Sequence, residues 1–498
     1  MSDLSKLRIA LCQVEAVQGH PSVFEQSTRQ LAGYARSTGA NLVVFPGETP
    51  RLVGMNGGIV AQEGDRATLA LGEDLYRIAL GVPAEDCDFA VMSDWTPWSL
   101  KRRESSAASC GIPIVYANPV GITNEERRVL VYDGASCILS ADGIVLSRLR
   151  DDFTGDFAPA TLTAPGPQAP QCDKKLLRAL VSGIQRFDAQ VLPWQPKWII
   201  GLSGGLDSSV VAALLVMAFG PERVIAYNLA TRYNSDATKA NAASLALELG
   251  IELRNGSIEQ LVDATAAVAS QYGYPEGALQ GLALENVQAR VRGHLLSTFA
   301  ALEGGVVANN GNRVEASLGY ATLYGDSIGA LAPIADLTKV QVIGLAHDIN
   351  ELFGKEVVPM RLLPVETQEG FEWETMPSAE LADGQRDPMK WFYHDWLVSE
   401  LCDVTALDPC PIMERYADGS LLDSEMGKWL HFYGLDDPQA FIDDLEWVLS
   451  SMRKSAFKRI QAPPSLRVAS PATTARSSEI QGSEEPSERY LQLKKSIL

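Results

Sequence analysis

Short apolar runs, each ended by Gly, Pro, Asn or Asp, alternate with longer stretches whose apolar positions recur at helical spacing. In the first third, LRIALCQV (Leu7–Val14) and NLVVFP (Asn41–Pro46) predict strands, and Phe24–Arg36 between them predicts a helix. CDFAVMS (Cys87–Ser93), IPIVYANPV (Ile112–Val120) and GASCILSADGIVLSRL (Gly134–Leu149) follow, the last as a hairpin turning at Ala141-Asp142-Gly143. Periodicity then disappears in APATLTAPGPQAP (Ala158–Pro170), which predicts an extended linker. A second series begins near Cys172. It predicts a helix to Val191, a strand Trp198–Leu202, a helix from Asp207, a strand Val224–Asn228, and helices over Ala237–Leu249 and Leu282–Ala301. Strands alternating with helices imply a parallel sheet covered on both faces. Beyond Pro464 the chain turns Ser-, Pro- and Glu-rich, and a mobile tail is expected.

Composition adjusts this picture modestly. The 498 residues suggest two or three domains, and 46% hydrophobic with 21% charged residues suits a soluble globular protein. A net charge of -20 repels polyphosphate at long range and argues against a general nucleic-acid binder. The seven cysteines are scattered, with no C-x-x-C pair to suggest a zinc or redox site. Neither a signal peptide nor a bilayer-spanning stretch is found, so a cytoplasmic location is expected, with no membrane partner.

The candidate chemistry lies in IIGLSGGLDSSVVAALL (Ile199–Leu215). After the strand the chain must turn sharply, and Gly204 and Gly205 let the backbone close on a ligand without side-chain clashes. Backbone N–H groups, the hydroxyls of Ser203, Ser208 and Ser209, and the start of a helix all favour a phosphate-like anion. Asp207 would repel that anion unless a divalent cation, Mg²⁺, bridged the two. A nucleotide P-loop fits poorly, because no Lys follows the second glycine.

SGGLDSS resembles the pyrophosphate loop of the ATP pyrophosphatase superfamily. Three later stretches, LALENVQARVRGHLL (Leu282–Leu296), VVANNGNRVEASLGYATLYGD (Val306–Asp326) and LAPIADLTKVQVIGLA (Leu331–Ala346), narrow it. Together with TRYNSDATKANAASLALELGI (Thr231–Ile251) they resemble NAD synthetase in order and spacing, and KRIQAPPSLRV (Lys458–Val468) resembles the end of its glutamine-dependent form. The resemblance implies ATP and Mg²⁺ as cofactors, and deamido-NAD, adenylated at its nicotinate carboxylate, as the substrate that ammonia amidates. It implies Ser203, Gly204, Gly205, Asp207, Ser208, Ser209, Arg290 and Asn310 at ATP or pyrophosphate. Asp207 and Glu315 would hold the metal, and Asp207, Asp326 and Lys339 would serve catalysis. Arg232, Tyr233, Glu285, Asn286 and Asp326 would meet the substrate. This chain departs from the family's pattern in three places. Thr375 stands where the family usually has Lys, Gln385-Arg386-Asp387-Pro388 replaces Q-x-D-E, and Leu229-Ala230-Thr231 replaces Met-Pro-Ser. An amide ligase for another carboxylic acid or amine is therefore the alternative, and a nucleotide-binding scaffold is a second.

The opening segment resembles a nitrilase-type amidase, the glutaminase partner of long NAD synthetases. That chemistry needs a Cys nucleophile, a Glu and a Lys. Here Gly47 follows Phe45-Pro46 and Glu48 comes one position late, no Lys lies between Lys6 and Lys101, and LGEDLY (Leu71–Tyr76) puts Gly72 where the resemblance expects Cys. The expected architecture is α/β. It comprises a reduced, noncatalytic nitrilase-like sandwich (1–155), a linker (156–171), a doubly wound parallel-sheet ATP pyrophosphatase domain of the adenine nucleotide α hydrolase type (172–464) and a tail (465–498). A homo-oligomer fed by free ammonia, an amine or a separate ammonia donor is expected.

Overall fold

The computed structural model describes residues 3–16, 29–31, 33–47, 50–93, 97–100, 111–374, 381, 387–469 and 486–498. It divides into two compact units, Met1–Val191 and Leu192–Leu498.

In the first unit, Ile9–Gln13 pairs in parallel with Leu42–Phe45 and antiparallel with Asp156–Ala160, while Arg51–Gly54 completes a four-stranded sheet. A seven-stranded sheet runs from Val145–Arg148 through Cys137–Leu139, Ile114–Tyr116, Phe89–Met92, Asp74–Leu80 and Arg66–Leu71 to Gly58–Glu63. Alternate residues of the two sheets share one core: Ile9, Leu11, Leu42 and Val44 pack with Leu69, Tyr76, Ile78, Phe89 and Val91. Of the predicted Phe24–Arg36 helix, residues 29–31 and 33–36 are helical and 24–28 lie outside the described residues. The hairpin over Gly134–Leu149 forms as expected, with Gly143 at φ +80.

The expected linker is a structural element. Asp156–Ala160 is a sheet strand, and the Arg148 and Gly166 N–H groups bond the Pro167 and Leu146 carbonyls. An extended Pro-rich segment keeps most of its carbonyls free, and a neighbouring strand satisfies them. The helix Lys175–Val191 also belongs to the first unit, which moves the boundary from 171/172 to 191/192. It packs on Val120–Glu125 and Arg128–Asp133, and Lys175 bonds buried Asp133 (2.7 Å) and Asp151 (3.1 Å).

The second unit carries a four-stranded parallel sheet ordered Glu252–Ser257, Val224–Ala230, Trp198–Gly201, Val306–Val307. The strand order reverses beside Trp198–Gly201, so the loops leaving that strand and Val306–Val307 open a crevice at their carboxyl ends. The helix Leu206–Phe219 is apolar on every face after its Asp207-Ser208-Ser209 start, and Val210 to Leu215 are fully buried. Part of the expected tail is fixed. Leu466, Val468 and Ala469 are buried, and the N–H groups of Val468 and Ala469 donate to Asp336. Glu488–Ile497 forms a helix on Cys410–Ala417, held by Arg489 to Glu414. Residues 470–485 lie outside the described residues.

Candidate active site

The turn after Trp198–Gly201 needs glycine for steric reasons. Gly204 has φ +86, and a Cβ there would collide with the Thr238 carbonyl. Gly205 is extended and caps the following helix, whose first N–H groups have no intrahelical acceptor. Ser203 Oγ accepts from the Gly205 N–H (3.2 Å) and lies 3.1 Å from Ser208 Oγ. The Ser209 hydroxyl donates to the Gly205 carbonyl (2.8 Å).

This loop forms one wall of a cavity of about 420 Å³. Glu315 enters from the helix Arg313–Leu318. Its Oε2 accepts the Asn312 N–H (3.1 Å), while the Asn312 side chain caps the Val314 and Glu315 N–H groups. Lys339 opens the helix Lys339–Phe353 and reaches Asp207 Oδ2 at 2.5 Å and Glu315 Oε1 at 3.9 Å. Asn312 Nδ2 also approaches Asp207 Oδ2 (3.3 Å), whereas Asp207 Oδ1 is buried without a partner. Trp391 covers the Lys339 ammonium at 5.0 Å and donates its indole N–H to Asp387 (2.9 Å).

Burial and crowding set the charges. Burial first, and then the nearby Asp207, push the Glu315 carboxyl up to about 8. Burial opposes the Lys339 ammonium, but Asp207 and Glu315 outweigh it and hold its pKa above the ordinary lysine range. Burial also raises Asp387 and Asp326, and Asp326 accepts the Thr322 N–H at 2.5 Å. Among the described residues no group of three His, Cys, Asp or Glu makes a ready-made metal site. Two carboxylates, one with an orphaned buried oxygen, nevertheless suit a Mg²⁺ ion that takes its remaining ligands from phosphate and water.

Of the sequence-predicted residues, Ser203, Gly204, Gly205, Asp207, Ser208, Asn310, Glu315, Asp326 and Lys339 line the cavity. Others lie elsewhere. Ser209 is fully buried, with its hydroxyl engaged by its own helix. Arg232 is tied to Glu259 outside the cavity, and neighbouring Tyr233 is likewise not on its wall. Arg290 is exposed and donates to the Leu323 carbonyl (3.3 Å). Asn286 accepts from the Thr322 hydroxyl (2.8 Å), and Glu285, one residue earlier on the same helix, is also off the wall. Helical spacing alone did not say which face of Leu282–Leu302 meets the cavity; Ala289, Arg292, Gly293 and Leu296 do. Sequence reading also assigned no role to Asp387, Trp391, Lys458 or Arg459, all on the wall. Lys458 lies in the quoted C-terminal stretch and donates to the Gly319 (2.8 Å) and Ala321 (2.7 Å) carbonyls. Thr375, Gln385 and Arg386 lie outside the described residues.

A family model described as NAD synthase matches residues 191–394. An NH(3)-dependent NAD(+) synthetase from Chlorobium phaeovibrioides is 33% identical over 213 residues, covering 43% of this chain and 68% of the relative. The chain belongs to the NAD synthetase family. A glutamine-dependent NAD(+) synthetase from Synechocystis is 32% identical over 379 residues, 73% of this chain. The match spans 59% of that relative's length, so this NAD synthetase family member aligns with well under two thirds of it. In fold, the structure of glutamine-dependent NAD+ synthetase from Acinetobacter baumannii in complex with ADP superposes with a TM-score of 0.61 at 20% identity, over 94% of this chain and 97% of that one. The α/β class expected for both parts of the chain is thus the class observed. No helix among the described residues is long and apolar enough to cross a membrane.

Proposed function

We propose that the chain is an ATP-dependent amide-forming ligase that converts deamido-NAD to NAD with ammonia. The observation that carries this reading is the meeting of Asp207, Glu315 and Lys339 at the mouth of a loop built for an anion. The nicotinate carboxylate attacks the α phosphorus of ATP, the bond to the β-phosphate oxygen breaks, and pyrophosphate leaves. Ammonia then attacks the acyl carbon, AMP departs, and a proton is released. The N–H groups at the start of Leu206–Phe219 bind the pyrophosphate, and the hydroxyl of Ser203 supplements them, while that of Ser208 is held by the Gly205 carbonyl. Lys339 keeps its proton at Nζ and neutralises charge that builds on the phosphates. Asp207 and Glu315 would hold Mg²⁺, which would supply Lewis-acid polarisation of the phosphoryl oxygens. Asp326, whose carboxyl pKa burial raises, lines the same cavity and would meet the acceptor or the entering ammonia.

In this reading the first unit produces no ammonia. Gly72 turns a tight hairpin between Arg66–Leu71 and Asp74–Leu80 at φ +63, with nothing within 4 Å of where a Cβ would sit. Burial pushes the Cys12 thiol up to about 12 and the Cys137 thiol up to about 11, which makes both poor nucleophiles. Glu48, Lys101 and Cys110 lie outside the described residues. The nitrogen source is then free ammonia or a separate donor.

A second reading, amidation of another carboxylic acid, is favoured by one observation. Leu229 and Ala230, where the sequence departs from the family's Met-Pro-Ser, line the cavity itself. The test supplies ATP, Mg²⁺, ammonium and deamido-NAD and measures AMP, pyrophosphate and NAD, with Asp207→Ala as control. NAD formation in the parent and its fall by about 100-fold or more in the variant support the first reading. ATP cleavage only with a different acid supports the second.

A further inference from the structure

An anion site made of backbone N–H groups works only if the carbonyls of the same loop face elsewhere. An inward carbonyl would set its negative end against phosphate oxygens where little water screens it. Each outward carbonyl then needs a donor of its own. In this loop the donors are side-chain amides and, at Gly205, serine hydroxyls. Asn310 Nδ2 donates to the Gly201 carbonyl (2.8 Å), and Asn228 Nδ2 donates to the Leu202 carbonyl (2.9 Å). Asn241 Nδ2 approaches the Gly204 carbonyl at 3.4 Å, and the Gly205 carbonyl is taken by the Ser208 (3.1 Å) and Ser209 (2.8 Å) hydroxyls.

Asn228 and Asn241 come from two different elements, the strand Val224–Ala230 and the helix Asp236–Leu249. Asn241 is fully buried, and its Oδ1 accepts from Arg361 Nε at 2.5 Å. That contact orients the amide so that its donor side points at the loop. Arg361 belongs to the short turn Met360–Leu362, and its neighbour Leu362 reaches the cavity wall.

We propose that Asn228 and Asn241, the latter oriented by Arg361, are positioning residues that hold the loop carbonyls outward and thereby create its pyrophosphate site. The inference rests on the ligase reading given above. Asn228 itself lines the cavity and Asn241 does not, but the role assigned to both runs through the Leu202 and Gly204 peptides.

The test uses the full chain and measures, by calorimetry, binding of inorganic pyrophosphate with Mg²⁺ and separately of AMP. Asn241→Asp keeps the size of the side chain and the tie to Arg361 but replaces the donor with an acceptor. Asn228→Asp does the same at the other peptide. Both are expected to weaken pyrophosphate binding about tenfold or more while AMP binding changes less than about twofold. Arg361→Ala, at a half-buried surface position, is expected to weaken pyrophosphate binding in the same direction, and Arg361→Lys to restore part of it. Thermal midpoints for all variants show whether they are folded, and Arg361→Ala serves if the buried substitutions are not. Pyrophosphate affinity unchanged in folded variants overturns the inference, as does a parallel loss of AMP and pyrophosphate binding. A parent chain that binds neither pyrophosphate nor ATP overturns the ligase reading itself and this inference with it.

Discussion

At the scale of single residues, the loop is governed by what cannot be added to it. Alanine at 204 would have to adopt φ +86 and meet the Thr238 carbonyl, so Gly204→Ala is expected to lower stability by about 1–3 kcal/mol. A fall in thermal midpoint together with weakened ATP binding would bear this out; a fully stable, ATP-binding variant would mean the loop relaxes freely. The thiols make a second point. With pKa values near 12 and 11, Cys12 and Cys137 hold only about one thiolate in 10⁴ and 10³ at pH 8. Alkylation mapped by mass spectrometry should find both at least about 100-fold slower in the folded than in the denatured chain. Rapid labelling of Cys12 would remove the argument that its thiol is inert. The residue types of SGGLDSS were legible because a backbone turn onto an anion constrains sequence locally. The partner of Asp207 was not legible in that way, because Lys339 lies 132 positions away.

At the scale of elements, buried charges pin the helices that carry site residues. Arg313 opens the helix of Glu315 and forms a two-bond pair with Asp403, at 2.6 and 3.0 Å, with both side chains 2% exposed. Arg313→Ala would strand the Asp403 charge and is expected to cost about 3–5 kcal/mol, read from urea unfolding. A change below about 1 kcal/mol would show that water reaches the pair. Elsewhere His394 and Lys390 converge on Asp444, joining the segment around Tyr393–Ser399 to the helix Pro438–Lys454. Burial pushes the Asp444 carboxyl up, yet His394 and Lys390 outweigh it and leave its pKa below the ordinary value. A depressed folded pKa stabilises above the unfolded value of about 3.9, and that stabilisation vanishes as pH falls through the folded pKa. Asp444→Asn is therefore expected to be less stable by roughly 1–3 kcal/mol at pH 7 and to converge on the parent as pH falls through the depressed Asp444 pKa, below the ordinary aspartate value. A difference that persists in acid would point to packing instead of charge. Long apolar elements such as Leu206–Phe219 could be read from sequence alone. The largely exposed strands Gly58–Glu63 and Glu252–Ser257 could not, because ladder hydrogen bonds to neighbours hold them where buried apolar side chains do not.

At the scale of the whole molecule, each unit has its own core, and the chemistry assigned to them differs. The cavity with Asp207, Glu315 and Lys339 belongs to Leu192–Leu498. Met1–Val191 keeps a packed two-sheet core while Gly72 occupies a hairpin tip. Ammonium is accordingly expected to support turnover and glutamine is not. With ¹⁵N-amide glutamine the purified chain should yield neither labelled product nor glutamate. Glutamate release above a blank would restore a glutaminase role to the first unit.

The amino-acid sequence by itself determined the strand–loop–helix at Trp198–Phe219, the αβ alternation around it and the residue types at its site. These follow from backbone geometry and periodicity over a few neighbouring residues. Only the tertiary structure decided which side chains converge. It set Lys339 onto Asp207, Trp391 over Lys339 and Asn228 onto the Leu202 carbonyl, and it left Arg232 and Arg290 off the cavity wall. It also drew the unit boundary at Val191, because Lys175–Val191 buries its apolar face on the first unit's strands. Contacts between distant segments depend on which faces pack together, and no local pattern encodes that choice.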